Sequence, residues 1–184
     1  MDKYKMLCND GKEAYLQELT ETGWFNQPQN IKEEIESRFM FAKHNNFVLQ
    51  LYHLWFDTEG FEDDDAYRDL LDQIIKVAGL QNTTSSVSYN SEEHTVDIII
   101  KIANNIYQYS VILENFGDWV DDNFIDEFIN NEMLKGENIE SRFFSLPPTD
   151  QSIQYIFIPE KLYHNAVDKG IIPGEPDYFM KDYL

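Results

Sequence analysis

The hydropathy period of this chain first changes close to Gly79, and that change sets the class of fold open to it. Before Gly79 the apolar residues recur at helical spacing; after it, β-branched and aromatic residues run in short blocks. Tyr4 to Leu19 reads as a first helix, weakened by Gly11, with a break from Thr22 to Pro28. Asn30 and Glu33 form a capping pair, each side chain able to reach the other's free backbone N–H. Ile31, Ile35, Phe39 and Ala42 follow at helical spacing, and Phe47, Leu51, Leu54 and Trp55 continue at i, i+4, i+7 and i+8. His44-Asn45-Asn46 is a kink or a short turn between them. A third helix runs from Asp64 or Asp65 to Ala78. Its acids sit at the positive end, its stripe is Tyr67, Leu71, Ile74 and Ala78, and Gly79 stops it.

Beyond Gly79, Gln81 to Ser86 reads as a polar linker, and Val87–Tyr89, Thr95–Ile102 and Ile106–Leu113 read as strands. Asn104-Asn105 supplies a tight turn between the last two, because Asn tolerates the left-handed conformation. Three consecutive apolar residues, Ile98-Ile99-Ile100, predict a central strand covered on both faces. A helix follows from about Asp121 to Leu134, with Phe124, Ile125, Phe128 and Ile129 inward. Strands at Ser141–Leu146 and Ser152–Ile158 are joined through Pro147-Pro148-Thr149-Asp150. A last helix opens at Pro159 or Glu160 and ends at Gly170, before an irregular tail. The order is ααα-βββ-α-ββ-α: an α+β protein with N-terminal helices followed by a mainly antiparallel sheet and two further helices. Its 184 residues suit one domain, a helical segment 1–80 and an α+β segment 81–184 sharing one core.

Charge bounds the function. There are 34 Asp and Glu against 14 Lys and Arg, a net charge of −20. Such charge opposes folding, but 42% hydrophobic and 15% aromatic residues supply enough burial to offset it. Direct nucleic-acid binding is excluded as an expectation, because phosphate contacts need clustered Lys and Arg. An anionic membrane surface is disfavoured for the same reason, and no run of apolar residues is long enough to span a bilayer. The first ten residues lack the apolar core of a signal peptide, so a cytoplasmic location is expected. Cys8 is the single cysteine, which rules out an internal disulfide and a multi-cysteine metal site.

Motifs for chemistry fail when tested residue by residue. No Walker or GxGxxG phosphate cradle occurs. Read as a calcium loop from Asp57, the chain has Phe61 at the fifth position and Glu62 where glycine must turn. His44, His53, His94 and His164 make no HxxxH or HExxH zinc pair. A metal-nuclease pattern of acid-x-Lys before Lys101 finds Ile99 in the acid's place. No cofactor, no metal and no enzymatic activity are therefore expected.

What survives is where the acids lie. Asp57 to Asp72 holds eight acids and one base, Arg68; Ile102 to Leu134 holds seven acids and no base. Large aromatics are interleaved in both windows, Trp55, Phe56, Phe61 and Tyr67 in one and Phe116, Trp119, Phe124 and Phe128 in the other. Crowding like charges costs stability, and a basic partner that covers them turns the cost into specificity and fast encounter. Aromatics among the acids can serve as desolvated anchors. The residues proposed to meet such a partner are Asp57, Glu59, Phe61, Glu62, Asp63, Asp64, Asp65, Asp118, Trp119, Asp121 and Asp122, with Trp119 or Phe61 as anchor.

In these two windows, in size and in mixed architecture, the chain resembles the acidic immunity proteins of bacterial polymorphic toxin systems. The resemblance implies a cytoplasmic, non-enzymatic inhibitor that neutralises a basic toxin domain, a nuclease above all. Two other readings stand beside it: a DNA mimic whose carboxylates imitate phosphates, and a small hydrolase or ligand-binding domain with carboxylates in a cleft.

Overall fold

A computed structural model describes residues 3–26, 52–149 and 151–173. The α+β class holds. The elements are α1 (Lys3–Asp10), α2 (Lys12–Glu21), β1 (Leu54–Asp57), α3 (Asp64–Ala78), β2 (Thr83–Asn90), β3 (Thr95–Ile102), β4 (Asn105–Ile112), α4 (Phe124–Leu134), β5 (Ser141–Thr149), β6 (Ser152–Pro159) and α5 (Glu160–Lys169). The strands form two three-stranded sheets, ordered β1-β6-β5 and β2-β3-β4. The capping pair Asn30–Glu33, the stripe from Ile31 to Leu51, His44 and the tail beyond residue 173 lie outside the described residues.

Two units make up the chain: Met1–His53 with Phe144–Thr149 and Ile153–Leu184, and Leu54–Phe143 with Asp150–Ser152. In the first, the expected single helix from Tyr4 to Leu19 is two helices. Gly11 divides them with φ 101° and ψ 176°, a backbone state that only glycine enters freely. Tyr15, Leu19 and Trp24 are buried with Leu146, Ile156, Ile158, Ala166, Ile171 and Ile172. The Tyr15 hydroxyl donates to the Ile171 carbonyl at 2.6 Å, and Lys3 Nζ donates to the Asp168 carbonyl at 2.8 Å, near the negative end of α5.

The second unit departs from the sequence expectations at four places. Leu54 and Trp55 belong to a strand, not to a helical stripe: Leu54 and Phe56 are buried while Trp55 and Asp57 are exposed, which is period two. Two adjacent apolar residues fit either period, and the pairing of β1 in its sheet decides. Thr83 to Ser86, read as linker, are the first half of β2, in register with Ile102 to Ile99 of β3. Polar residues are tolerated there because β2 is an edge strand. β3 is central, as expected, but its second face is covered only in part: Ile98 and Ile100 are buried on one face, while on the other Thr95 is buried, Ile99 is half-buried between Ser86 and Gln108, and Lys101 is exposed. The β3–β4 turn is made by Ala103 and Asn104, not Asn104 and Asn105, since Ile102 pairs with Asn105.

Ala103 sits at φ 50°, a left-handed conformation that an L side chain adopts at a cost of roughly 1 kcal/mol. Ala103→Gly is expected to raise the unfolding free energy by about 0.5–1 kcal/mol in a denaturant titration, net of the greater freedom glycine gives the unfolded chain. An unchanged or lower midpoint would show that this turn is not strained.

α3 forms as its sequence predicts. Asp63 caps it by accepting from the Asp65 N–H at 3.0 Å, Asp64 and Asp65 lie in its first turn, and Gly79 ends it at φ 65°. α4 is where expected but is wound with π-type turns. Ile125 and Leu134 are nine residues apart, two and a half turns of an α-helix and hence opposite faces. Both are buried, because the wider winding returns Leu134 to the face that carries Phe124, Phe128, Ile129 and Met133. An edge-to-face and tilted succession of rings then fills the unit: Phe61–Tyr67 at 4.9 Å, Tyr67–Phe124 at 5.5 Å and Phe124–Phe128 at 5.9 Å, with Tyr109 stacked on Phe128 at 4.9 Å.

Candidate acidic docking surface

The second unit carries 21 of the 34 acids and only 5 of the 14 bases. Its local folding brings the two acidic windows together. After β1, the Asp57 carboxylate accepts from the Glu59 N–H at 3.1 Å and turns the chain, while Thr58 is held by the Gln151 carbonyl at 2.9 Å. Glu59 then pairs with Trp119 in an antiparallel bridge. Phe61 N–H donates to the Asp118 carbonyl and Val120 N–H to the Thr58 carbonyl, both at 2.9 Å. Residues sixty apart in sequence thus share one lip, and Gln151 Nε2 clasps Glu59 Oε1 at 2.6 Å beside it.

The residues named from sequence divide into three groups. Glu62, Asp118, Trp119 and Asp122 are exposed, Trp119 by 44%. Asp57, Glu59, Asp63, Asp64 and Asp65 already serve the fold: Asp57 turns the chain, Glu59 is half-buried in the lip and Asp63 caps α3. Asp64 and Asp65 both bond the Arg68 guanidinium, which also donates to the Val87 carbonyl at 3.2 Å. Such exposed pairs contribute little stability, but they neutralise part of the first window.

Phe61 and Asp121 belong to the interior. Phe61 is 4% exposed and packs on Tyr67 and, at 6.0 Å, on Phe56. Asp121 is 5% exposed: its carboxylate accepts from the Tyr109 hydroxyl at 2.7 Å and from the Asn123 N–H at 2.9 Å, while its own N–H donates to the Tyr67 oxygen at 3.0 Å. Burial pushes the Tyr67 hydroxyl up to about 12, and burial with the Asp121 carboxylate beside it pushes Tyr109 up further. Both phenols stay neutral donors or acceptors around the carboxylate.

Three features were not read from the sequence. Trp55, 49% exposed, shares a strand face with Asp57, a placement that period-two reading of β1 would have found. Asp65, Asp69 and Asp72 make an exposed stripe along α3 at i, i+4 and i+7. Asp126 has its carboxyl raised by burial and by the neighbouring Glu127 and Asp122 carboxylates, a local measure of like-charge crowding.

Elsewhere, an open depression of about 400 Å³ lies over Asp97, Ile99, Gln108 and Ser110; its carboxylate is bonded to the Ser110 hydroxyl. Among the described residues no group of three or more His, Cys, Asp or Glu side chains is placed to hold a metal ion, and no helix is long and apolar enough to cross a membrane. Comparison of the chain with protein-family models, with curated proteins and with solved structures gave no match.

Proposed function

We propose that the protein is a non-enzymatic acidic binding protein, an immunity-type inhibitor that neutralises a basic toxin domain, most fittingly a nuclease, in the cytoplasm. The observation that carries this reading is the Glu59–Trp119 bridge, which joins the two acidic segments around an exposed tryptophan. An exposed aromatic beside charges, which a partner would desolvate on docking, is the pattern of an energetic hot spot with a steering rim. The docking set contracts accordingly: Trp119 is the anchor, and Glu62, Asp118 and Asp122, exposed in the segments that the bridge joins, form the rim. Phe61 and Asp121 support that surface from beneath.

The test is capture of partners at low and moderate salt, followed by affinity measurement with the basic protein recovered. Trp119→Ala is expected to weaken binding roughly 30-fold, the effect of removing an anchor of about 2 kcal/mol. Reversing Glu62, Asp118 and Asp122 to Lys should slow association and flatten its salt dependence while leaving the melting temperature unchanged. The reversal avoids Asp63, Asp64 and Asp65, whose loss would uncap α3 or free Arg68. Affinity and salt response unmoved by both variants would remove the surface from consideration. Recovery of many unrelated DNA-binding proteins would point instead to phosphate mimicry.

A further inference from the structure

β2 and β4 are the two edges of the β2-β3-β4 sheet, and in a chain with 26% charged residues neither contains a charged side chain. Natural edge strands are usually blunted by Lys, Pro or a bulge, because their free N–H and C=O groups template another strand. The β2 edge is met by Arg68, which bonds the Val87 carbonyl. The β4 edge is open: among the described residues no group outside β3 bonds the backbone of Asn105–Ile112, apart from the turn and loop bonds that flank the strand.

The geometry of that edge follows from its turn. Asn105 pairs with Ile102 across a two-residue hairpin, so 102–105, 100–107, 98–109 and 96–111 are the hydrogen-bonded pairs with β3. The next bonded position, Leu113 N–H to the His94 carbonyl at 3.1 Å, keeps the same phase. Ile106, Gln108, Ser110 and Ile112 therefore turn their backbone groups outward, and their side chains lie together on the more open face of the sheet, all four exposed. Ile106 is 58% and Ile112 49% exposed.

These two isoleucines are symmetric about Tyr109, and that symmetry selects the occupant. We infer that the β4 edge is a self-association surface, on which β4 of a second copy pairs antiparallel about a two-fold axis through Tyr109. In this register Ile106 faces Ile112 of the second copy, Gln108 faces Ser110, and the axis repeats both pairs. Every outward N–H and C=O between Ile106 and Ile112 gains a partner, and the exposed isoleucines cover one another as a cross-strand pair. Shifting the register by two residues in either direction sets an isoleucine against a polar residue. An isologous contact of this kind needs one self-complementary patch. An uncharged strand is also where two chains of net charge −20 can approach with least repulsion. The contact uses none of the residues of the tryptophan surface, and its salt dependence has the opposite sign: added salt screens the repulsion between copies and favours the pair.

Sedimentation velocity over a wide concentration range, at low salt and at about 0.5 M salt, reads the proposal directly. The expected result is a monomer–dimer equilibrium whose apparent dissociation constant falls several-fold as salt rises. Amide exchange at Ile106, Gln108, Ser110 and Ile112 should slow about tenfold or more in the dimer while the β3-bonded amides are unchanged. Ile106→Lys with Ile112→Lys should remain monomeric throughout, with an unaltered far-UV spectrum. Gln108→Pro, which removes an N–H that β3 does not use, should do the same. A wild-type chain that stays monomeric at high concentration and high salt overturns the inference. So does a dimer that survives these substitutions or leaves β4 exchange unchanged. Slowed exchange at β4 that requires a different protein would assign the edge to a foreign strand, which also overturns it.

Discussion

Asn130→Leu is expected to lower the unfolding free energy by about 2–4 kcal/mol, although it replaces a polar residue by an apolar one in a buried place. Asn130 lies on the inner face of α4 and is 8% exposed. Its amide donates to the Phe143 carbonyl and accepts from the Phe143 N–H, each at 2.8 Å. The side chain thus behaves as a neighbouring strand would, satisfying both backbone groups of one residue at the start of β5. Leucine is of similar size, so no cavity opens, but the Phe143 N–H and carbonyl each lose a short hydrogen bond in a buried place, at about 1–3 kcal/mol apiece. The control is Asn131→Ala on the exposed side of the same helix, whose Nδ2 donates to Glu127 at 3.3 Å; it should change stability by less than about 0.5 kcal/mol. Equal denaturant midpoints for Asn130→Leu and wild type would mean that the two bonds to Phe143 contribute nothing net. The result also probes the π winding, which sets Asn130 beside Ile129, Met133 and Leu134 on one buried face.

The second large effect is a loss of stability in acid traced to His53. Its Nδ1 accepts from the Phe157 N–H at 2.9 Å, and the His53 backbone N–H donates to the Tyr155 carbonyl at 2.8 Å. Burial lowers the ring's pKa to about 4, from an ordinary value of 6.5. Protonating Nδ1 would in addition set two N–H groups against each other. Between these two values the unfolded chain holds more protons at this site than the folded one. The contribution of His53 is therefore complete above about pH 6.5 and is lost progressively as the pH falls towards 4, amounting to roughly 3 kcal/mol. The 34 carboxylates, present in wild type and variant alike, cancel in a comparison of the two. The comparison with His53→Asn isolates the histidine. Asn keeps an acceptor for Phe157 and does not titrate, so its unfolding free energy should fall less steeply between pH 6.5 and 4. Parallel pH profiles for the two proteins would refute the assignment.

How much could be read in advance depended on the range of the interactions concerned. α3 was legible nearly to its ends: the acids of the first turn and Gly79 act on backbone groups within four positions, and only the Asp63 cap went unread. The split at Gly11 was visible as a weakness and became a break. β1 was misread because Leu54 and Trp55 satisfy a helical and a strand pattern equally. The π winding of α4 left a trace, the 4-then-5 spacing of Phe124, Phe128 or Ile129, and Met133 or Leu134, that a search for 3.6-residue periodicity passes over. On the acidic surface, composition located both windows but not the direction of any side chain. Phe61 and Trp119 looked alike as aromatics between acids, yet one is core and the other is exposed.

The sequence by itself determined the class of the fold, the place of most elements and the concentration of acid in two windows, because period, caps and charge are properties of neighbouring residues. Only the tertiary structure decided that those windows meet at Glu59 and Trp119, that Asp121 is an interior hydrogen-bond centre, and that β4 ends its sheet with an edge unpaired among the described residues. Each of these depends on which distant segment satisfies a given backbone group. A buried N–H or carbonyl must find a partner, but the chain near it does not say whose.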